Sequence, residues 1–210
     1  MTHLEDRVLA SRFGRYGAYD GKERFASYWH QKDEILALRP RTLLHCGIGN
    51  NFLCRYLEGT GIRQFTLDNE PDFRPSVSAS VVKLPFLDGS FDAIACFQVL
   101  EHLPYELFSG ILREYRRVSR RHVVLSLPNR SLWLGLRLTF YPRLSVQRGL
   151  SIEAFSRAHV FDGKHHWEIG KKGFPVRRIV GDIQAAGLVV RKAYRIPEKP
   201  LHHVFVLEKG

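Results

Sequence analysis

The stretch that most constrains this chain runs from Arg41 to Asn69. An apolar run, Thr42 to Cys46, leads into Gly47-Ile48-Gly49. Asn50 to Glu58 then places Phe52, Leu53, Tyr56 and Leu57 at helical spacing, and Gly59 and Gly61 close the segment. A second apolar run, Gln64 to Leu67, ends on Asp68. Strand, glycine turn, helix and strand-end acid in that order make a βαβ opening. Glycines carry no Cβ, so an anionic group can approach the positive end of the helix. Asp68, 19 positions after Gly49, can accept hydrogen bonds from the two hydroxyls of a ribose. A nucleoside-containing cofactor is the first inference. Taken alone, a glycine pair reads equally well as a plain strand-to-helix turn, so the rest of the chain decides.

That rest alternates. Residues 1–22 read as an irregular arm, and Glu23 to Leu38 as a helix stopped by Pro40; together residues 1–39 form an N-terminal arm and helix. After the βαβ unit come a short third strand within Val77 to Val82, a turn-bearing loop from Leu84 to Asp92, and a near-continuous apolar strand from Ala93 to Val99. Pro104 opens a helix to about Ser119, with Leu107, Phe108, Ile111, Leu112, Tyr115 and Val118 on one face. His122 to Leu127 is a fifth strand. Pro175 to Ala186 is helical, and Leu188 to Ile196 and His203 to Leu207 read as an antiparallel pair at one sheet edge. The expected fold is a single doubly wound α/β domain over residues 1–210, with ligands at the carboxyl ends of its strands. Residues 130–170 break the pattern and read as a substrate-side insert or lid.

Charge separates the two halves. Residues 1–109 carry 12 Lys and Arg against 14 Asp and Glu, whereas residues 110–195 carry 18 against 5, a net of +13. A field of that sign favours acidic partners: nucleic acid, phosphorylated small molecules or anionic lipid. The first residues hold acids and arginines without an apolar core, so no secretory leader is expected. The three cysteines have no paired spacing and suit a reducing, cytoplasmic setting.

The sequence resembles the class I S-adenosylmethionine-dependent methyltransferases, in the subgroup described as methyltransferase type 11. The residues that carry this are His45-Cys-Gly47-Ile-Gly49-Asn-Asn51, Leu67-Asp68, Leu84 to Asp92, Phe97-Gln-Val-Leu-Glu101-His102-Leu103, Ser126-Leu-Pro-Asn129 and the closing strand pair. The resemblance implies a Rossmann-like, mostly parallel seven-stranded sheet with helices on both faces, and S-adenosyl-L-methionine as cofactor. It also implies roles. Gly47, Ile48 and Gly49 would lie against the methionine moiety, and Asp68 would bind the ribose with Asn69 beside the adenine. Ser80 and Val81 would meet the adenine edge, and Phe97 and Gln98 would sit near the sulfonium. Three positions depart from the family pattern: His45 for an acid, Asn51 for the third glycine, and Ser80 for the adenine-binding acid.

Methyl transfer needs a base only for a protonated acceptor. His102, just after the fourth strand, is one candidate, and His166 in Lys164-His-His-Trp-Glu168 is the other. Both histidines read equally as structural. Adjacent histidines in an extended segment point to opposite sides, and no Cys or Asp cluster has zinc spacing, so no metal is expected. Residues 131–146 read either as a helical insert packed on the sheet edge or as a lid, with Trp133 and the leucines touching an apolar acceptor or a membrane surface and Arg137 and Arg143 at the head groups. The expected acceptor is small or lipid-linked and acidic. RNA is a second partner class, and a nicotinamide-dependent oxidoreductase and a non-catalytic binding module are the competing functions.

Overall fold

A computed structural model of the chain describes residues 21–153 and 157–210; the expected irregular arm lies almost wholly outside these described residues. One sheet is built from β1 (Thr42–Cys46), β2 (Arg63–Asp68), β3 (Val77–Ser78), β4 (Phe91–Phe97), β5 (Ser119–Pro128), β8 (Leu188–Ile196) and β9 (Lys199–Lys209). Its seven strands lie in the order β3-β2-β1-β4-β5-β9-β8. The pairs among β1 to β5 are parallel. Strand β9 runs antiparallel to both β5 and β8, so it is inserted between them and β8 forms the edge. The sheet reverses from β8 to β9 because Pro197-Glu198 allows only a tight turn between them.

Helices α1 (Lys22–Leu38), α2 (Phe52–Tyr56), α3 (Phe108–Val118) and α4 (Val176–Ala185) flank the sheet. The central strands are apolar for most of their length, and all five residues of β1 are buried, as a strand covered on both faces requires. Phe108, Ile111, Leu112, Tyr115 and Val118 of α3 are buried against the sheet, while Leu107 stays exposed. Two expected elements are shorter than their apolar runs. Strand β3 is two residues: its last ladder bond runs from the Ala79 N–H to the Asp68 carbonyl, and the Ser80–Val82 turn follows at once. Helix α2 is one turn and a half, since glycines at 59 and 61, both at positive φ, follow it at once.

The insert differs from the helical reading. Residues 132–140 and 144–152 are strands β6 (Leu132–Phe140) and β7 (Leu144–Ile152), an antiparallel hairpin separate from the main sheet. The cause is the strict alternation Leu132, Leu134, Leu136, Leu138, Phe140, which has period two and suits a strand. Its root is clamped by Arg195. That guanidinium is buried and donates to the carbonyls of Asn129, Ser131 and Pro200 and to the Ser151 hydroxyl, with its carbon 4.9 Å from the centre of the Trp133 ring. Trp133 in turn fills the space over Gly149, where a Cβ would lie 1.8 Å from the indole.

Candidate active site

A cavity of about 580 Å³ opens at the carboxyl ends of β1, β2 and β4. Every one of Gly47, Ile48, Gly49, Asp68, Asn69, Ser80, Val81, Phe97, Gln98 and His102 lines it. The glycine turn and the strand-end acid face each other: the Ile48 N–H donates to Asp68 Oδ2 at 2.9 Å, and the Gly47 N–H to the Leu67 carbonyl at 2.8 Å. The second carboxylate oxygen, Oδ1, accepts from the Glu70 N–H at 3.0 Å. Gly47 sits at φ 82°, and a Cβ there would come within 2.3 Å of Val99 Cγ2, so only glycine lets the turn lie against the exit of β4.

The departures from the family pattern keep this shape. Asn51 adopts φ 59°, the left-handed conformation in which Asn is tolerated, and so replaces a glycine without breaking the turn. His45 is buried, and burial pushes its imidazole down to about 4 against the hydrogen bond to Gln64 at 2.9 Å, leaving a neutral ring where an acid is usual. Ser80 accepts the Val82 N–H and so shapes its own loop. Gln98 is held at φ 55° by a backbone bond to Ser126 and a 3.2 Å side-chain bond to the Ser126 hydroxyl. A strained residue at the tip of a buried strand, facing a cavity, belongs to the set of features that mark functional sites.

The two histidine candidates separate. His102 lines the cavity; its Nδ1–H donates to the Lys164 carbonyl at 3.0 Å, and burial lowers its pKa despite that bond. His166 turns its ring to Phe161, 4.7 Å away, and its backbone N–H donates to the Glu101 carbonyl. The side chain of His165 points the other way, toward His102, with ring centroids 4.9 Å apart. The segment is anchored by buried Trp167, whose Nε1–H donates to the Leu103 carbonyl, and by Gly170, where a Cβ would meet Ser131 at 2.3 Å.

One wall of the cavity escapes the sequence reading. Arg24, Ser27, Tyr28 and Gln31 of α1 and His202 of β9 also line it. Ser27, Gln31 and Glu34 are buried polar residues on one face of a helix, at spacings of four and three. That polar stripe is the available signal, and it is easily taken for the solvent face. Ser27 Oγ lies 2.6 Å from His202 Nδ1 and Tyr28 pairs with Asn50, so α1 is tied to both rims.

A parallel sheet with one reversed strand next to its edge, and a cavity between a glycine turn and a strand-end acid, defines the Rossmann-like methyltransferase fold. Residues 44–127 match the family model described as a methyltransferase domain, and this match together with the fold supports an S-adenosylmethionine-dependent methyltransferase of class I. The reversed β9 and this match together set aside the nicotinamide-dependent alternative. Solved structures share the whole architecture. The N-methyltransferase NodS from Bradyrhizobium japonicum, in complex with S-adenosyl-L-homocysteine, superposes with a TM-score of 0.64 at 9% identity, covering 98% of each chain. Magnesium protoporphyrin IX methyltransferase from Synechocystis gives 0.62 at 13% identity over 98% of this chain and 100% of that one. A 1,6-didemethyltoxoflavin-N1-methyltransferase from Burkholderia thailandensis gives 0.62 at 16%, over 98% and 86%. At these identities the likeness is one of fold. No curated protein matches the chain in sequence.

Proposed function

We propose that this chain transfers a methyl group from S-adenosyl-L-methionine to a small-molecule or lipid-linked acceptor carrying acidic groups. The observation that carries the cofactor reading is Asp68 held against the glycine turn at the mouth of a cavity large enough for a nucleoside ligand. The residues present fit the cofactor. Asp68 retains lone pairs for the ribose hydroxyls after accepting its two backbone N–H groups. Asn69, Ser80 and Val81 offer an edge for the base, and Gly47 to Gly49 leave room for the amino-acid end. When bound, the cofactor supplies an electrophilic methyl on a sulfonium. Phe97 and Gln98 then fix the direction of approach, and holding donor and acceptor in line can supply roughly 7–11 kcal/mol of the barrier. His102, with its Nδ1–H already donated, presents Nε2 to the cavity and serves as base for a protonated acceptor. His166, turned toward Phe161, serves the site only through its backbone.

The acceptor reading draws on the hairpin. Leu134, Leu136, Leu138 and Phe140 are 66, 62, 63 and 69% exposed on one face, and Leu132 and Leu150 continue it. Residues 130–152 hold four arginines and no acid. An apolar face set among cations suits an anionic lipid surface, where leucines enter the acyl boundary and arginines meet head groups. It suits RNA poorly, since RNA recognition is built on basic and stacking surfaces rather than bare leucine. No helix among the described residues is long and apolar enough to cross a membrane. A cytoplasmic, reducing setting fits the buried thiols of Cys46 and Cys96. Calorimetry with S-adenosylhomocysteine tests the core of this reading: saturable binding in the micromolar range is expected, and no heat of binding by a folded chain overturns it.

A further inference from the structure

Glu101 is a buried acid that the methyl-transfer reading leaves unused. It lies in the turn after β4, is fully buried, and neither carboxylate oxygen meets a hydrogen-bond partner on another described residue. Burying a carboxyl group without a partner costs several kcal/mol by order of magnitude, so such a group calls for a ligand. Two imidazoles face it: donor atoms of Glu101, His102 and His165 all lie within 4.8 Å of one another.

The surroundings orient both rings. His102 gives its Nδ1–H to the Lys164 carbonyl at 3.0 Å, and His165 gives its Nδ1–H to Glu168 Oε1 at 2.8 Å. Glu168 is itself buried and held by Arg130 at 3.2 Å. His159 donates to the His165 carbonyl, which fixes the backbone there. Each ring therefore keeps its free lone pair on Nε2. A carboxylate or carbonyl behind a histidine, fixing its tautomer, is the outer shell that metal-bound histidines carry.

We propose that Glu101, His102 and His165 form a site for a divalent transition-metal ion of the zinc class at the edge of the cavity, with an open position facing the cavity. Two imidazole nitrogens and one carboxylate suit zinc, cobalt(II) or manganese(II) rather than calcium. Bonds of about 2.0–2.2 Å require donor atoms roughly 3–3.5 Å apart. Small shifts of His102, which is exposed, and His165, which is half-buried, bring the donors from within 4.8 Å to that separation while both Nδ1–H bonds are kept. Resting on the methyltransferase reading, the open position would take an oxygen of the acceptor, so the substrate class narrows to molecules with a hydroxyl or carboxylate beside the methylated atom. A metal-bound hydroxyl is more acidic than a free one, so with the ion in place the metal, rather than His102 acting as a free base, activates the acceptor.

The test uses the purified full chain, stripped with a chelator and dialysed against Zn²⁺, with metal content measured and Co²⁺ used as the spectroscopic probe. About one equivalent of Zn²⁺ and visible cobalt bands are expected. Glu101→Gln, which keeps the shape of the buried side chain, and His165→Ala should each weaken Zn²⁺ binding at least tenfold. His166→Ala, whose ring points away, should bind as the parent does. A folded Glu101→Gln chain with parental Zn²⁺ affinity, or equal losses in His165→Ala and His166→Ala, overturns the site. Calorimetry with S-adenosylhomocysteine on the metal-free chain runs in parallel. Cofactor binding without metal uptake refutes the metal site and leaves the methyltransferase reading standing; metal uptake without cofactor binding does the reverse.

Discussion

Replacing Asp68 by Asn isolates what the carboxylate at the tip of β2 does. Its Oδ2 accepts the Ile48 N–H at 2.9 Å and its Oδ1 the Glu70 N–H at 3.0 Å. An amide keeps one acceptor and turns an NH₂ toward the other N–H, so one bond becomes a contact between two donors. Hydrogen bonds to a charged group contribute about 1.5–3 kcal/mol each, and at 7% exposure water has little access to replace the lost partner. A stability loss of about 2 kcal/mol should lower the melting temperature by about 4–8 °C in a chain of this size. The same change removes the charge behind the proposed ribose contact, which should weaken S-adenosylhomocysteine binding by about 10–100-fold. Differential scanning calorimetry reads the first effect and titration calorimetry the second. Unchanged affinity for S-adenosylhomocysteine refutes the cofactor role, whatever the melting temperature does, because it would reduce Asp68 to a staple for the turn.

Two further outcomes follow from the geometry. His45, His202 and His203 are held by burial at about 4, about 3 and about 4, against 6.5 for the free imidazole. Between those values the unfolded chain binds protons that the folded chain refuses, so stability is full above pH 6.5 and falls as pH drops toward 4, by up to about 1.4 kcal/mol per pH unit for each histidine. Urea unfolding at about pH 7.5, 6 and 5 checks this, and a midpoint constant over that range contradicts it. On the hairpin, Leu134→Asp combined with Leu138→Asp changes two exposed side chains, so folding and S-adenosylhomocysteine binding should persist while co-sedimentation with phosphatidylglycerol vesicles falls tenfold or more. Parent protein that stays in the supernatant, or a double variant that sediments equally, removes the lipid contact.

The sheet is legible because most of its strands are marked locally. Thr42 to Cys46 and Ala93 to Phe97 are runs too short for helices and too apolar for loops, and α3 shows its buried face directly in the spacing of Phe108, Ile111, Leu112, Tyr115 and Val118. Ends are less legible, because they depend on contacts outside the run: Val81 and Val82 have strand propensity, yet the Ser80–Val82 turn takes the chain away after Ser78. The hairpin misleads for a different reason. Leucine has high helix propensity, and a leucine-rich stretch invites a helical reading; the alternation from Leu132 to Phe140 outweighs it once β7 supplies a partner register.

The site divides in the same way. Gly47 to Gly49 and Asp68 are close in sequence, and the roles proposed for them follow from one βαβ unit. Glu101, His102 and His165 meet only because the Trp167 indole docks on Leu103 and the His166 N–H on Glu101, contacts between segments far apart in the chain. No spacing rule reaches that far. The three departures from the family pattern also acquire a common meaning in the folded chain. Asn51 preserves the left-handed turn, His45 is neutral and bonded to Gln64, and Ser80 accepts the Val82 N–H, so each keeps the shape of the turn or its neighbour, and two of the three stand where the pattern has an acid. Among the described residues lining the cavity, Asp68 is left as the one carboxylate. With no acid at positions 45 and 80 to share the polar contacts of a nucleoside, the proposed cofactor binding would concentrate on this residue. Asp68→Asn should therefore cost more here than the loss of one hydrogen bond alone.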